Sequence, residues 1–205
     1  MKAKNLAMSL GNVTRLNGDF SLSGLPDADN SFIFANLNES FADLNELRKL
    51  DLPIQLQSVI SKFPKFLDNI GLFKYKGNFT GFKNDFVAYG TLSTDLGRIS
   101  GDLSFKPLDA KWLKLEGHVE TNGFDLGGLL NTTNVGGLAL SGKVDGAVCE
   151  SQYDLKVDGV VRSIDVNDYN FQNINLKGNL KNKLFDGNLS IDDPNIKMFF
   201  SGSLS

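Results

Sequence analysis

The chain has 205 residues, of which 41% are hydrophobic, with 21 basic against 24 acidic side chains, one histidine and one cysteine. So even a charge balance argues against a nucleic-acid or anionic-membrane surface, and a lone Cys149 excludes a disulfide framework and a cysteine-based metal centre. The length suits a single all-β domain. No run approaches the ~18 uninterrupted apolar residues of a membrane span. Met1-Lys2-Ala3-Lys4 is a basic beginning, but Asn5 and Ser9 interrupt any signal-peptide core. Alternation starts at Leu6, Met8 and Leu10 and is still running at Leu204-Ser205. The chain is therefore expected to be a piece of a longer protein.

One five-residue pattern recurs from end to end: apolar, polar, glycine, polar, apolar. Leu16-Asn17-Gly18-Asp19-Phe20 is the first clear copy and Phe200-Ser201-Gly202-Ser203-Leu204 the last. Between them the glycines are flanked two residues away by Tyr75 and Phe79, Ile99 and Leu103, Leu115 and Val119, and Leu140 and Val144. Val157 and Val161, Leu176 and Leu180, and Phe185 and Leu189 continue the series. Alternate residues of a strand share a face, so each copy puts two apolar side chains and a glycine on one side and polar residues on the other. That describes a half-buried antiparallel strand, repeated.

A mid-strand glycine packs nothing, so its recurrence on the apolar face needs a reason. The two available are a sharp bend and the close approach of another backbone. The expected fold is mainly β: a strongly coiled antiparallel sheet forming a U-shaped groove with an apolar interior. A β-sandwich whose glycines mark corners and bulges is the alternative.

In chain order, strands are expected at Leu6–Leu10, Leu16–Gly24 and Ser31–Leu37, with a turn at Pro26–Asn30. Residues 40–70 change period. Phe41, Leu44, Leu47 and Leu50 recur at helical spacing behind a capping-box-like Ser40…Asp43, and Pro53 ends that helix. Val59, Ile60, Phe63, Phe66, Leu67 and Ile70 then line a second helical face, interrupted at Pro64 and stopped by Gly71. This helical insert is expected to cover apolar sheet surface. A membrane-surface role fits less well, because its polar face lacks Lys/Arg enrichment.

Strands resume at Phe73–Gly81, Phe86–Thr94, Ile99–Phe105 and Leu113–Thr121. A short helical turn follows at Phe124–Asn131, then strands near 138–148, 153–161, 164–167, 169–180, 184–191 and 196–204. Asp192-Asp193-Pro194-Asn195 is a turn, with proline presetting φ and Asp/Asn bonding the local backbone. The whole reads as one β-groove unit over residues 1–205.

Catalytic chemistry finds little support. His118 falls on the polar side of its strand with no activating neighbour in the sequence, and Cys149 ends a strand. Asp27-Ala28-Asp29-Asn30 opens like a calcium loop, but Ser31-Phe32 stand where a ligand and a glycine are required. Gly123 to Gly128 forms no phosphate or dinucleotide fingerprint. The chain is not expected to be an enzyme, and no metal or cofactor is implied.

The stretch Gly71-Leu-Phe-Lys-Tyr-Lys-Gly-Asn-Phe-Thr-Gly-Phe82 with Phe86-Val-Ala-Tyr-Gly-Thr-Leu-Ser-Thr-Asp-Leu-Gly97 carries a resemblance. Phe124-Asp-Leu-Gly-Gly-Leu-Leu-Asn131 and the runs Tyr169–Gly178 and Phe185–Asn195 extend it. Together they resemble the TamB-like (translocation and assembly module), AsmA-related proteins of Bacteroidetes, over residues 68–205 and more loosely before. The resemblance implies a slice of a long periplasmic protein held in the inner membrane by an anchor outside this chain. Its apolar groove would carry phospholipid acyl chains between inner and outer membranes. It also implies a link to outer-membrane β-barrel assembly through a barrel insertase partner. No catalytic residue is implied; the side chains in question are the groove-lining residues Leu16, Phe20, Tyr75, Phe79, Leu115, Val119, Leu140, Val144, Val157, Val161, Leu176, Leu180, Phe185 and Leu189. Assembly is the second functional reading, with open sheet edges pairing to client strands.

Overall fold

Among the described residues each strand pairs only with its neighbours in sequence: twelve strands form one antiparallel sheet in the order β1 to β12. The computed structural model of the chain describes residues 1–24, 31–51, 57, 60–82 and 85–205. The elements are β1 (Lys2–Leu10), β2 (Thr14–Ser23), β3 (Phe32–Asp43), α1 (Leu44–Lys49), a 3-10 helix (Lys65–Ile70), β4 (Leu72–Phe82) and β5 (Asp85–Thr94). They continue with β6 (Gly97–Pro107), β7 (Leu113–Asp125), α2 (Leu126–Leu130), β8 (Val135–Val148), β9 (Tyr153–Val166), β10 (Tyr169–Lys181), β11 (Leu184–Asp192) and β12 (Lys197–Leu204). The two outermost strands do not meet, so the sheet is an open, curled groove and neither a barrel nor a sandwich. The expected mainly β antiparallel fold with short helical pieces is what the chain forms.

Rows of glycines facing one another across strands explain the curl. Gly77, Gly90 and Gly101 form one row, Gly142 and Gly159 a second, and Gly178, Gly187 and Gly202 a third. A Cβ placed on Gly77 would lie 2.2 Å from the Tyr89 carbonyl oxygen and 2.6 Å from the Gly90 Cα. One on Gly187 would lie 2.4 Å from the Lys177 oxygen and 2.5 Å from the Gly178 Cα. The neighbouring backbone thus occupies the space a side chain would need, and the sheet can coil towards its apolar face. Aromatic side chains cover the bare backbone. The Tyr75 hydroxyl lies 2.9 Å from the Cβ position of Gly90, and Phe185 Cε2 lies 2.9 Å from that of Gly178. Register shifts in the β1–β2, β2–β3, β3–β4, β7–β8 and β8–β9 pairings add local twist.

Three sequence-based expectations are corrected. The strand expected to end at Leu37 continues to Asp43, so Phe41 points from a strand and not from a helix. Asp43 is the N-cap of α1, accepting from the Glu46 N–H, while Ser40 is buried in β3 and accepts from the Asn17 N–H at 3.1 Å. Residues 153–161 and 164–167, expected as two strands, form the single β9, whose register slips against β8 between Ala139 and Leu140. The helical turn after Phe124 forms as expected. Asp125 caps it at Gly128 N–H, and Asn131 closes it in the left-handed conformation at φ 53°. The Pro26–Asn30 turn, its carboxylates Asp27 and Asp29, Pro53 and Val59 lie outside the described residues.

Replacing Gly178 by valine would drive a branched side chain into the β11 backbone. The expected outcome is a loss of about 2–3 kcal/mol in a urea titration. Asn188→Val, on the opposite face of the same sheet, should change stability by no more than about 0.5 kcal/mol. Equal effects would remove the glycine rows from the account of the curl.

Candidate functional site

The inner face is lined by apolar side chains that remain only half-buried. Leu16, Phe20, Tyr75, Phe79, Leu115, Val119, Leu140, Val144, Val157, Leu176, Leu180, Phe185 and Leu189 are all intermediate in exposure, and Val161 is buried. Cross-strand register makes them neighbours on one face. Val144 pairs with Val157, Leu140 with Val161, Leu176 with Leu189, and Leu180 with Leu155 and Phe185. The accessible surface is 12023 Å², whereas a compact monomer of 22.4 kDa would expose about 9,400 Å². The surplus, about a quarter, is the signature of an interior that is lined without being filled.

Full burial lies farther from the glycine line. Leu113, Leu138 and Ile174 are buried, and each stands four residues from a glycine of the pattern. Phe73, Phe86, Phe105, Leu155 and Ile191 occupy equivalent positions and pack against the buried clusters. Sequence reasoning stopped at the positions two residues from each glycine. Extending the same alternation by one step would have found these residues.

What covers this outer part of the groove is the insert. In an antiparallel meander successive turns alternate between the two rims. Asp109 and Glu150 stand in the β6–β7 and β8–β9 turns on one rim, and Leu129 stands in α2 between β7 and β8 on the other. The Lys62 ammonium donates to the Asp109 carbonyl at 2.8 Å, and the Lys65 N–H donates to the Glu150 carbonyl at 3.1 Å. Four residues on, Asn69 Nδ2 donates to the Leu129 carbonyl at 2.8 Å. Residues 62–70 therefore cross the mouth from rim to rim as a strap. Below them Phe63 meets Phe105 edge-on at 5.8 Å between ring centroids, and Phe66 meets Tyr153 at 6.4 Å. Ile70 is buried against Phe124 and Leu129. The expected contacts of Phe63, Phe66 and Ile70 with the sheet are all made.

Arg48, the last-turn cation of α1, holds the strap in shape. Its guanidinium donates to the Asp68 carboxylate at 3.0 Å and to the carbonyls of Ile60 and Phe63, each at 2.9 Å. Charge-assisted bonds to half-buried acceptors are each worth roughly 1.5–3 kcal/mol. Tyr75, on the groove floor, donates to the Asn78 carbonyl, and burial pushes its phenol up to about 12.

Outside the groove the candidates for chemistry are ordinary. His118 lies on the outer face, paired in register with Asp102 and Lys143, and its Nε2 is 3.0 Å from Ser141 Oγ. Cys149 is buried behind its own turn. Among the described residues no cluster of His, Cys, Asp and Glu could hold a metal ion, and no helix is long and apolar enough to cross a membrane. No family model, curated protein or solved structure matches the chain.

Two outcomes follow. Arg48→Met should release the strap, raise the binding of a hydrophobic dye severalfold and lower stability by about 2–3 kcal/mol; unchanged dye binding would mean that the strap covers nothing. Because burial raises the Tyr75 pKa, the folded state holds that proton more tightly than the unfolded one. Stability should accordingly fall as pH rises from 10 towards 12. Tyr75→Phe should flatten that fall in denaturant titrations across the same interval.

Proposed function

We propose that this chain is a segment of a periplasmic, AsmA/TamB-like bridge protein whose apolar groove carries phospholipid acyl chains between inner and outer membranes. On this reading its inner-membrane anchor lies elsewhere in a longer protein. The observation that carries it is the run of half-buried apolar side chains, crossing successive strands with no charged residue among them, from Val144 through Val157 to Leu176 and Leu180. Such a lane solvates hydrocarbon at about 0.8 kcal/mol for each buried CH₂. It offers no groups for chemistry, which supports carriage over catalysis. Among the described residues the strap is held over the middle strands, at Phe105, Phe124 and Tyr153.

A second reading draws on the β12 edge. Lys197–Leu204 pairs with β11 without a bulge, and its outward Phe199 is 72% exposed. By contrast β1 carries Lys2 and Lys4 and a register irregularity between Ala3 and Leu6, devices that discourage edge pairing. An edge without a bulge, whose one charge is Lys197 at its start, suits addition of an antiparallel strand. That fits an assembly module for outer-membrane β-barrel proteins acting with a barrel insertase.

The test that separates the readings is Leu180→Asp. A charge in an apolar lane is costly, so a photoreactive phospholipid should crosslink to the purified variant at least about tenfold less than to the parent, with an unchanged circular dichroism spectrum. The edge is untouched by this substitution, so undiminished lipid crosslinking in a folded variant would overturn carriage and leave the assembly reading standing.

A further inference from the structure

The two rims of the groove carry opposite charge. From β6 onward, the turns and flanking strand ends of one rim hold Lys106, Lys111, Lys114, Lys181 and Lys183 against Asp109, Glu150 and Asp154. The strap brings Lys62 and Lys65 to this same rim. The opposite rim holds Asp95, Asp125, Asp165, Asp168, Asp192 and Asp193 against Arg98 and Lys197. Alternate turns thus sort lysine to one side of the apolar lane and aspartate to the other.

Internal pairing sharpens this polarity. On the basic rim all three carboxylates are engaged. Asp109 accepts from the N–H groups of Lys111 and Trp112, Glu150 pairs with Lys65 at 2.9 Å, and Asp154 pairs with Lys181 at 3.2 Å. Lys62, Lys111 and Lys183 have no ion pair among the described residues. Lys62 is only 6% exposed, yet the partner of its ammonium is a neutral carbonyl, that of Asp109. Lys111 has the Gln152 side chain at 3.5 Å and the Trp112 ring beneath it. On the acidic rim Asp192 pairs with Lys197 at 3.1 Å, and Asp125, Asp165 and Asp193 serve backbone N–H groups. Asp125 caps α2, Asp165 accepts from Gly137, and Asp193 accepts from Gln172 and Asn195. Those bonds, with the one from the Tyr169 hydroxyl, hold the Asp193 carboxyl below its usual range. Negative charge is therefore built into that rim.

We infer that the groove selects phospholipids of net negative headgroup and seats them in one orientation, acyl chains along the apolar floor and phosphate over the rim of Lys111 and Lys183. The inference rests on the carriage reading above and adds the headgroup class to it. A zwitterionic headgroup gains less from the basic rim, because its own cation is repelled there. A reversed orientation would put phosphate against aspartates.

The experiment uses the purified 205-residue chain and fluorescent-acyl phosphatidylglycerol or phosphatidylcholine. The expected result is retention of phosphatidylglycerol at least about fivefold above phosphatidylcholine at low ionic strength, the ratio shrinking in high salt. Lys111→Glu with Lys183→Glu, both at exposed positions, should abolish the ratio while phosphatidylcholine retention stays unchanged. Adding Asp95→Lys and Asp192→Lys restores the original net charge on the other rim. If that quadruple variant regains the preference, overall charge and not the rim is responsible, and the inference fails. Equal retention of both lipids by the parent chain overturns the rim inference alone; retention of neither overturns the carriage reading on which it rests.

Discussion

Backbone packed directly against backbone is the contact on which this molecule depends. In an ordinary sheet backbone hydrogen bonds set the spacing of the strands, and the Cβ atoms crowded on the inner face limit how sharply the sheet coils towards it. Here the glycine rows remove those atoms where strands meet, and the neighbouring carbonyl and Cα move into the gap. An apolar face that would otherwise need a second layer curls upon itself instead. The aromatic rings of Tyr75 and Phe185 then cover what the glycines leave bare.

Curling alone leaves a wetted hydrocarbon surface, and the chain deals with it unequally along its length. Over the middle strands, the strap spans the mouth, fastened to one rim by Lys62 and Lys65 and to the other by Asn69 and Ile70. Its aromatic residues enter the groove at the level of Phe105 and Tyr153. Under β10 to β12, Val161 and Ile174 are buried with Leu176, Leu189 and Ile191 packed against them, so the strands' own apolar side chains cover one another there.

The outer face solves the complementary problem. One cross-strand row runs Asp102, His118, Lys143, Asp158 and Lys177, with Asp158 opposite both Lys143 and Lys177, whereas other positions set Lys106 opposite Lys114 and Glu116 opposite Asp145. The Lys177–Asp158 pair at 2.9 Å is largely exposed and contributes little on its own. What the row supplies is solubility and register. A one-residue slip would turn this whole face inward.

Local pattern carried much of this into the sequence. Period-two alternation marks the inner face, and the residues two from each glycine stand where it places them, since side-chain direction in a strand needs no tertiary information. The turn at Asp193 and the helical turn after Phe124 were equally legible, because their chemistry lies within a few residues of chain. The end of β3 was not. Phe41, Leu44, Leu47 and Leu50 fit a helical period, but the pairing of Phe41 with Lys74 and Ala42 with Phe73 holds the chain extended to Asp43. The burial of Leu113 and Ile174 was also hidden, because a strand pattern does not say how deep each position sits. The sequence by itself determined the faces, the glycine line and the meander of short turns, all properties of neighbouring residues. Only the tertiary structure decided that the insert crosses from rim to rim, and that alternate turns gather lysine on one side and aspartate on the other. Those facts depend on residues dozens of positions apart, and they exist only once the strands have paired.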